Sequence, residues 1–358
     1  MGFGHPGRVT DALDALGAIA PALAFLLLAV PLAALLDELG LFESVASVMQ
    51  HRWPELPVLG LWALAAVTTI VLNLDTTVVL LGPLYLRLAR RSGVDPLPLA
   101  LVPLLLAAYA SSVLPVSNLT PLIAAERLDL STGEVVAHLG LPSLAAIVVG
   151  WLAYRRHHPT RLPAPTVAGV ADPRALRIGG AIVGALLVAF TVGGALGLPP
   201  WVAVLVADVV LVAVVRRVPW REVPVGTAVA VAALAAVVAI VLPSSALDGV
   251  RAVDDPLGLA GVVLGATAMA NAIDNIPATL AIVEGASGAS PALWAWLVGV
   301  NVGSVLVPIG ALANLLWRRI VREDGVELSV GGYVRTVAPL AIAPLVAATV
   351  VAAITLGR

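Results

Sequence analysis

Residues 15–36, ALGAIAPALAFLLLAVPLAALL, carry no charge over a stretch long enough to cross the ~30 Å hydrocarbon core of a bilayer. Comparable apolar runs recur at 97–125, 139–154, 178–197, 200–215, 224–243, 292–316 and 336–356. No other feature constrains the fold as much, because in lipid every backbone polar group has to be satisfied within the protein. Membrane barrels alternate polar and apolar residues along each strand. These runs do not, so the spans are helices. Composition agrees: 60% of the 358 residues are hydrophobic, 12% are charged, and the mean hydropathy is +1.03. The chain is therefore expected to be an all-α polytopic membrane protein, with about eight spans. The N-terminus shows neither the basic region nor the cleavage site of a signal peptide, so the first apolar run is expected to remain as a span.

Two further apolar pieces, 57–86 and 257–283, break the pattern. The first contains TTIVLNLDTTVVLLGP (68–83), with Asn73, Asp75, Thr76 and Thr77 at its centre. The second contains TAMANAIDNIPATLAI (267–282), with Asn271, Asp274, Asn275 and Pro277. The spacing predicts two re-entrant hairpins, each returning to the side it came from. The basic residues test that topology. With both hairpins re-entrant, all but four of the twenty basic residues fall on one side; Arg8, Arg127, Arg251 and Arg358 fall on the other. The arginine-rich side is then cytoplasmic, and both termini lie outside. Trp53, Trp201, Trp220 and Trp317 sit near span ends, as interfacial anchors do. Residues 40–52 are expected to form an interfacial helix, with Leu41, Phe42, Val45, Val48 and Met49 on one face and Glu43, Ser44, Ser47 and Gln50 opposite.

The two halves repeat one another. Each has a hairpin with an aspartate at its centre, followed by a long span with a polar, proline-containing middle. Those middles are ASSVLPVSNLTPLIA (110–124) and GSVLVPIGALANLLW (303–317). Pro115 aligns with Pro308, Ser117 with Gly310 and Ser111 with Ser304. Since the hairpins enter from opposite faces, the expected architecture is an inverted repeat with two broken helices, as in secondary transporters. Residues 1–154 form the first repeat, the Pro- and charge-rich stretch 155–177 a cytoplasmic linker, and 178–358 the second repeat. Three spans precede the second hairpin and one precedes the first. Span 97–125 would run ~43 Å as a straight helix, too long for one crossing. A break near Ser117-Asn118-Leu119-Thr120 is predicted, because Pro103, Pro115 and Pro121 each remove a backbone donor.

A charged aspartate at the bilayer centre costs ~2.5–3.5 kcal/mol on insertion scales, and a low dielectric disfavours its charged form. Asp75 and Asp274 are thus candidates to take up and release a proton; otherwise each caps a half-helix at its hairpin tip. Asp208, alone on the apolar run VLVADVVLVAVV, is a third candidate, or else bonds a neighbouring helix. Asn73, Thr76, Thr77, Ser117, Asn118, Thr120, Asn275, Gly310 and Asn314 are candidates for solute contact, or for satisfying the backbone at the breaks. Asn301 and Ser304 come after them, and Glu126 and Glu284 are expected to be solvated. The histidines (His5, His51, His138, His157 and His158) are placed in loops or tails, none at metal-ligand spacing from a carboxylate. There is no cysteine. With no phosphate loop, dinucleotide fingerprint or catalytic triad, no cofactor, metal or nucleic acid is expected, and an enzyme is not.

These ordered motifs resemble the arsenite efflux permeases of the ion-transporter superfamily. LLDELGLFESVA (35–46) is similar to the family's segment after an early span. LDTTVVLLGP (74–83) resembles its first hairpin, VSNLTPLIAAERLDL (116–130) its Ser-Asn-Leu segment, and DNIPATLAI (274–282) its second hairpin. VPIGALANLLW (307–317) and LSVGGYVRT (328–336) resemble its C-terminal signatures. The resemblance implies efflux of arsenite, as neutral arsenous acid, and of antimonite, in exchange for protons across a bacterial inner membrane. It also implies an optional soluble arsenic ATPase partner and a possible homodimer. The chain departs from the family in lacking two initial spans, in carrying Asp274 where the family has Asn, and in having Leu74 between Asn73 and Asp75. Sodium- or proton-coupled carriers of other small solutes or organic anions belong to the same superfamily. A membrane subunit that merely retains the fold is the alternative from another class.

Overall fold

The computed structural model describes residues 6–52, 55–163, 170–241, 243 and 245–357. Sixteen helices are found among them. The first half comprises α1 (Pro6–Glu38), α2 (Leu41–Arg52), α3 (Val58–Leu72), α4 (Leu74–Arg91), α5 (Pro96–Tyr109), α6 (Leu119–Leu128) and α7 (Thr132–His157). The second comprises α8 (Pro173–Val192), α9 (Pro200–Val215), α10 (Val225–Val241), α11 (Asp248–Arg251), α12 (Pro256–Ile273), α13 (Asn275–Val283), α14 (Pro291–Val302), α15 (Leu312–Glu323) and α16 (Val330–Leu356). Two-residue strands, β1 (Leu56–Pro57) and β2 (Arg161–Leu162), pair antiparallel. Five helices, within α1, α7, α8, α12 and α16, are long and apolar enough to cross a membrane.

Local chemistry sets the helix starts. α5, α8, α12 and α14 each begin at an Asp-Pro or Ser-Pro pair. Asp95, Asp172, Asp255 and Ser290 accept from a backbone N–H of the first turn, while proline occupies the position whose N–H has no helical partner. Ser131 and Glu134 cap α7 reciprocally. The two apolar runs expected to break do so. The run at 97–125 becomes α5 and α6, separated at 110–118, and 292–316 becomes α14 and α15, separated by 3-10 turns at Gly303–Leu306 and Pro308–Gly310. α5 and α14 touch each other and are almost wholly buried. α16 packs along α7, α12 and α14, while α1 packs against α9 and α10 on the other flank.

Side-chain donors close the gaps that proline leaves. Pro344 inside α16 has no N–H for the Leu340 carbonyl; the Tyr109 hydroxyl donates to that oxygen at 3.0 Å. All four tyrosines are buried and donate to backbone carbonyls of other elements: Tyr85 to Leu61, Tyr154 to Pro98 and Tyr333 to Val305 complete the set.

Several sequence expectations need correction. Leu41 and Phe42 of α2 are buried as expected, whereas Ser44 and Ser47 are buried and Val48 is exposed, against the expected faces. The reason is that α2 packs on α8, and Ser44 Oγ accepts from the Asp172 N–H at 3.0 Å. Trp317 is no interfacial anchor: it is fully buried, and its indole donates to the Ala100 carbonyl at 2.6 Å. Trp220 is exposed as expected, Trp201 is half-buried, and Trp53 lies outside the described residues. The linker is shorter than 155–177, because α7 runs to His157 and α8 starts at Pro173. His51, His138 and His157 lie within helices, and His138 stacks on Trp294 at 4.6 Å. Glu284 is not simply solvated: it pairs with Arg127 at 3.1 Å.

Candidate functional site

The polar centre of the first unusual segment is a corner between two helices. α3 ends and α4 begins at Asn73, whose φ of 110° lies where few side-chain-bearing residues go. Asn73 tolerates it because its own amide oxygen accepts from the Thr76 N–H at 2.9 Å. Thr77 Oγ donates to the Asn73 carbonyl at 2.9 Å and accepts from Thr69 Oγ at 3.0 Å. These bonds fix the corner and leave Asp75 in the first turn of α4, where a helix start favours an anion.

The second segment makes the same corner at Asp274, with φ 82°. The Asp274 carboxylate accepts from the Ile276 N–H at 2.9 Å, and Thr279 Oγ donates to the Asn275 carbonyl at 2.8 Å. The central aspartates of the two segments therefore differ in register. The residue at the Asp274 corner is matched by Asn73, and Asp75 stands two residues further on. Of the two aspartates only Asp274 caps.

The breaks following α5 and α14 supply the rest. Asn118 is extended (φ −156°) and caps α6, accepting from the Thr120 N–H; Ala311 has the same backbone (φ −157°) at the start of α15 and offers no side-chain cap. Asn118 Nδ2 and Thr120 Oγ both donate to Asn301 Oδ1, each at 2.6 Å. Asn301 thus ties α6 to α14, a centrality that its place in the apolar run WLVGVNVGS did not signal. Ser117 Oγ donates to the Ile70 carbonyl at the end of α3. Asn314 Nδ2 donates to the Ser304 and Val307 carbonyls in the α14–α15 break, the latter shared with the Gly310 N–H. Asn271 does similar duty, donating to the Gly303 carbonyl and accepting from the Val307 N–H. A Cβ at Gly310 would meet the Ser304 carbonyl at 2.1 Å and Asn271 Oδ1 at 2.7 Å, so the absence of a side chain there is a packing requirement. Asn275 is buried beside the second corner.

Asp208 stands apart. It is buried in α9, which packs on α1 and α8, and its Oδ1 has no partner among the described residues; the bond to a neighbouring helix is not formed. Asp75 Oδ1 and Thr76 Oγ are likewise buried without partners, and both line a cavity of about 220 Å³ that Glu222 also borders. Glu222 follows an arginine-rich turn and carries no sequence signal that would have singled it out.

Corner, break and apolar helix together invite comparison with known membrane carriers. Residues 7–299 match the CitMHS family, described as citrate transporter. The chain belongs to the CitMHS family. Arsenical pump membrane proteins of Yersinia enterocolitica and Escherichia coli (strain K12) are each 27% identical, over 347 and 344 residues; each comparison covers 84% of this chain and 79% of the relative. The crystal structure of the Alcanivorax borkumensis YdaH transporter superposes with a TM-score of 0.57 at 15% identity, covering 97% of this chain and 87% of that one. That likeness concerns the fold alone. This CitMHS member is a membrane transporter; both corners lie inside the matched range, and α15 lies beyond it.

Proposed function

We propose that this chain is a secondary carrier built as an inverted repeat, exporting arsenite and antimonite across a bacterial inner membrane in exchange for protons. The observation that carries the reading is the pair of capped corners at Asn73 and Asp274, with unpaired or singly bonded carboxylates beside them. In this reading α3–α4 and α12–α13 are the re-entrant hairpins and α5–α6 and α14–α15 the broken helices. Ion pairs support the sidedness. Arg91–Glu43, Arg90–Asp324 and Arg217–Glu38 join elements assigned to the cytoplasmic side. Arg127–Glu284, and Arg251 with the Ile282 and Glu284 carbonyls, join elements assigned to the outside.

Asp75 and Asp274 carry the exchanged protons, and Asn73, Thr76, Asn118, Thr120 and Asn275 offer hydroxyl and amide contacts. A trihydroxy solute is matched by such groups without a cysteine. Thr77, Ser117, Gly310 and Asn314 hold the corners and breaks in place. We assign Asp208 no part in coupling, since α9 packs away from the corners. The chain acts as a carrier, not an enzyme. The names of the relatives support arsenite. The family description favours a second reading, a carrier of an organic polyanion. Against it, the residues around the corners present carboxylates, while the paired arginines lie toward the two faces.

The test is arsenite uptake into everted vesicles under an imposed proton gradient, for wild type, Asp75→Asn and Asp274→Asn. Gradient-driven uptake by wild type, lost in either variant while the protein stays inserted and monodisperse, is the expected result. Citrate uptake without arsenite uptake would establish the second reading instead.

A further inference from the structure

The cavity beside the first corner lies between α1, α4, α15 and the turn leading into α10. Its walls are apolar, with Leu26, Val30 and Ala34 on α1 and Leu312 and Leu316 on α15. Its polar groups are Asp75, Thr76, Glu222 and Thr227, and of these only the two acids titrate. They belong to opposite ends. α4 and α15 meet the cavity at their starts, Asp75 and Leu312, and run from there to arginine-rich ends at Arg90, Arg91 and Arg322. α10 has only begun at Thr227. Glu222, just before it, is held through Oε1 by Arg217 at 2.6 Å, and Arg217 also holds Glu38 at the end of α1. So Glu222 sits toward the arginine-rich side and Asp75 sits deep.

Three residues lining this one space each carry an oxygen, Asp75 Oδ1, Thr76 Oγ and Glu222 Oε2, that is buried without a partner among the described residues. Thr76 is only 2% exposed. Buried polar atoms nearly always have a partner, and where protein supplies none water does. A volume of about 220 Å³ holds several waters.

We infer that this cavity is a hydrated proton conduit joining Asp75 to the arginine-rich side, with the Glu222 carboxylate as the relay at its mouth. The inference rests on the carrier reading for the direction of flow. The Asp75 O–H bond breaks and its proton joins a cavity water. That water passes a proton to Glu222 Oε2, which releases it to bulk water. Each transfer breaks one O–H bond and forms one, and the sum leaves Asp75 as a carboxylate. Arg217 and Glu38 hold the charge balance at the mouth.

The chain has no cysteine, so single-cysteine variants report hydration directly. Thiol-reactive methanethiosulfonates attack the thiolate, which forms only where water reaches it; with a membrane-impermeant reagent, Thr227→Cys and Ala34→Cys are expected to label at least ~10-fold faster from the cytoplasmic face of vesicles than from the outer face. Val350→Cys, on the outward surface of α16, should not label. Absence of labelling at both cavity sites from either face, or labelling from the outer face alone, would overturn the conduit. As a second readout, Glu222→Gln should slow gradient-driven uptake severalfold and leave arsenite self-exchange unchanged, with Glu222→Asp restoring the rate. Equal loss of both activities would overturn the relay. Labelling does not depend on the solute. Failed arsenite uptake with labelling intact sinks the solute reading alone, and lost labelling with uptake intact sinks the conduit alone.

Discussion

At the residue scale, the centre of this protein is made of side chains that complete the backbone. Asp274 accepts an N–H from a position with φ 82°. Asp274→Asn keeps both the acceptor and a residue that tolerates the left-handed region, so its melting temperature in detergent should stay near wild type. Asp274→Ala loses the cap, at about 1 kcal/mol, and with it the local side-chain bond that lets a residue other than glycine hold positive φ. It should melt clearly lower, and equal melting of the two variants would refute the capping role. Asn301→Leu leaves the Asn118 and Thr120 donors without their acceptor. At ~0.6 kcal/mol per interhelical bond in a membrane bundle, rising to ~1.7, the loss should be about 1–3 kcal/mol, read from unfolding in mixed micelles. The sequence made the aspartates conspicuous, because a charge in an apolar run is costly. It did not reveal which residue turns the corner, because capping depends on φ, and Asn73 and Asp75 are both plausible caps until the backbone is seen. Asn301 was ranked low for a related reason: an amide in a buried helix looks the same whether it bonds its own turn or a neighbouring helix.

At the element scale, the breaks were legible and the helix ends were not. Proline within a run too long for one crossing predicts a break, and both predicted breaks occur. Ends such as Asp172-Pro173 were missed because a span reading follows hydropathy, whereas caps follow hydrogen bonds in polar flanks. Ser44, Ser47 and Val48 of α2 were misplaced because packing on α8 outweighed amphipathic pattern there. Two substitutions test the second break. Gly310→Ala places a carbon against the Ser304 carbonyl, and the segment cannot yield without losing the Asn314 bonds. A fall of several degrees in melting temperature, together with loss of transport, is expected. Ala311 has the backbone of Asn118 without its cap, so Ala311→Ser should stabilise α15 by about 1 kcal/mol, seen as a higher melting temperature.

At the scale of the whole molecule, in the proposed topology the arginines orient the chain and ion pairs fasten each face to itself. Val170, 86% exposed in the linker, and Asp254, before α12, belong to opposite sides in the proposed topology. Val170→Cys should therefore react with an impermeant thiol reagent only from the cytoplasm, and Asp254→Cys only from outside; reaction of both from one face would refute the arrangement. The two halves share their geometry but not their charge. One corner is an amide with an acid two residues on; the other is the acid itself, bonded to its own helix. Such a machine is electrically lopsided. Moving one elementary charge through the full field is worth ~2.3 kcal/mol per 100 mV, and the two carboxylates sit at different depths relative to their corners. In the proposed proton exchange the inward and outward half-cycles feel different fractions of the membrane voltage, and a rectifying transport current is the expected outcome.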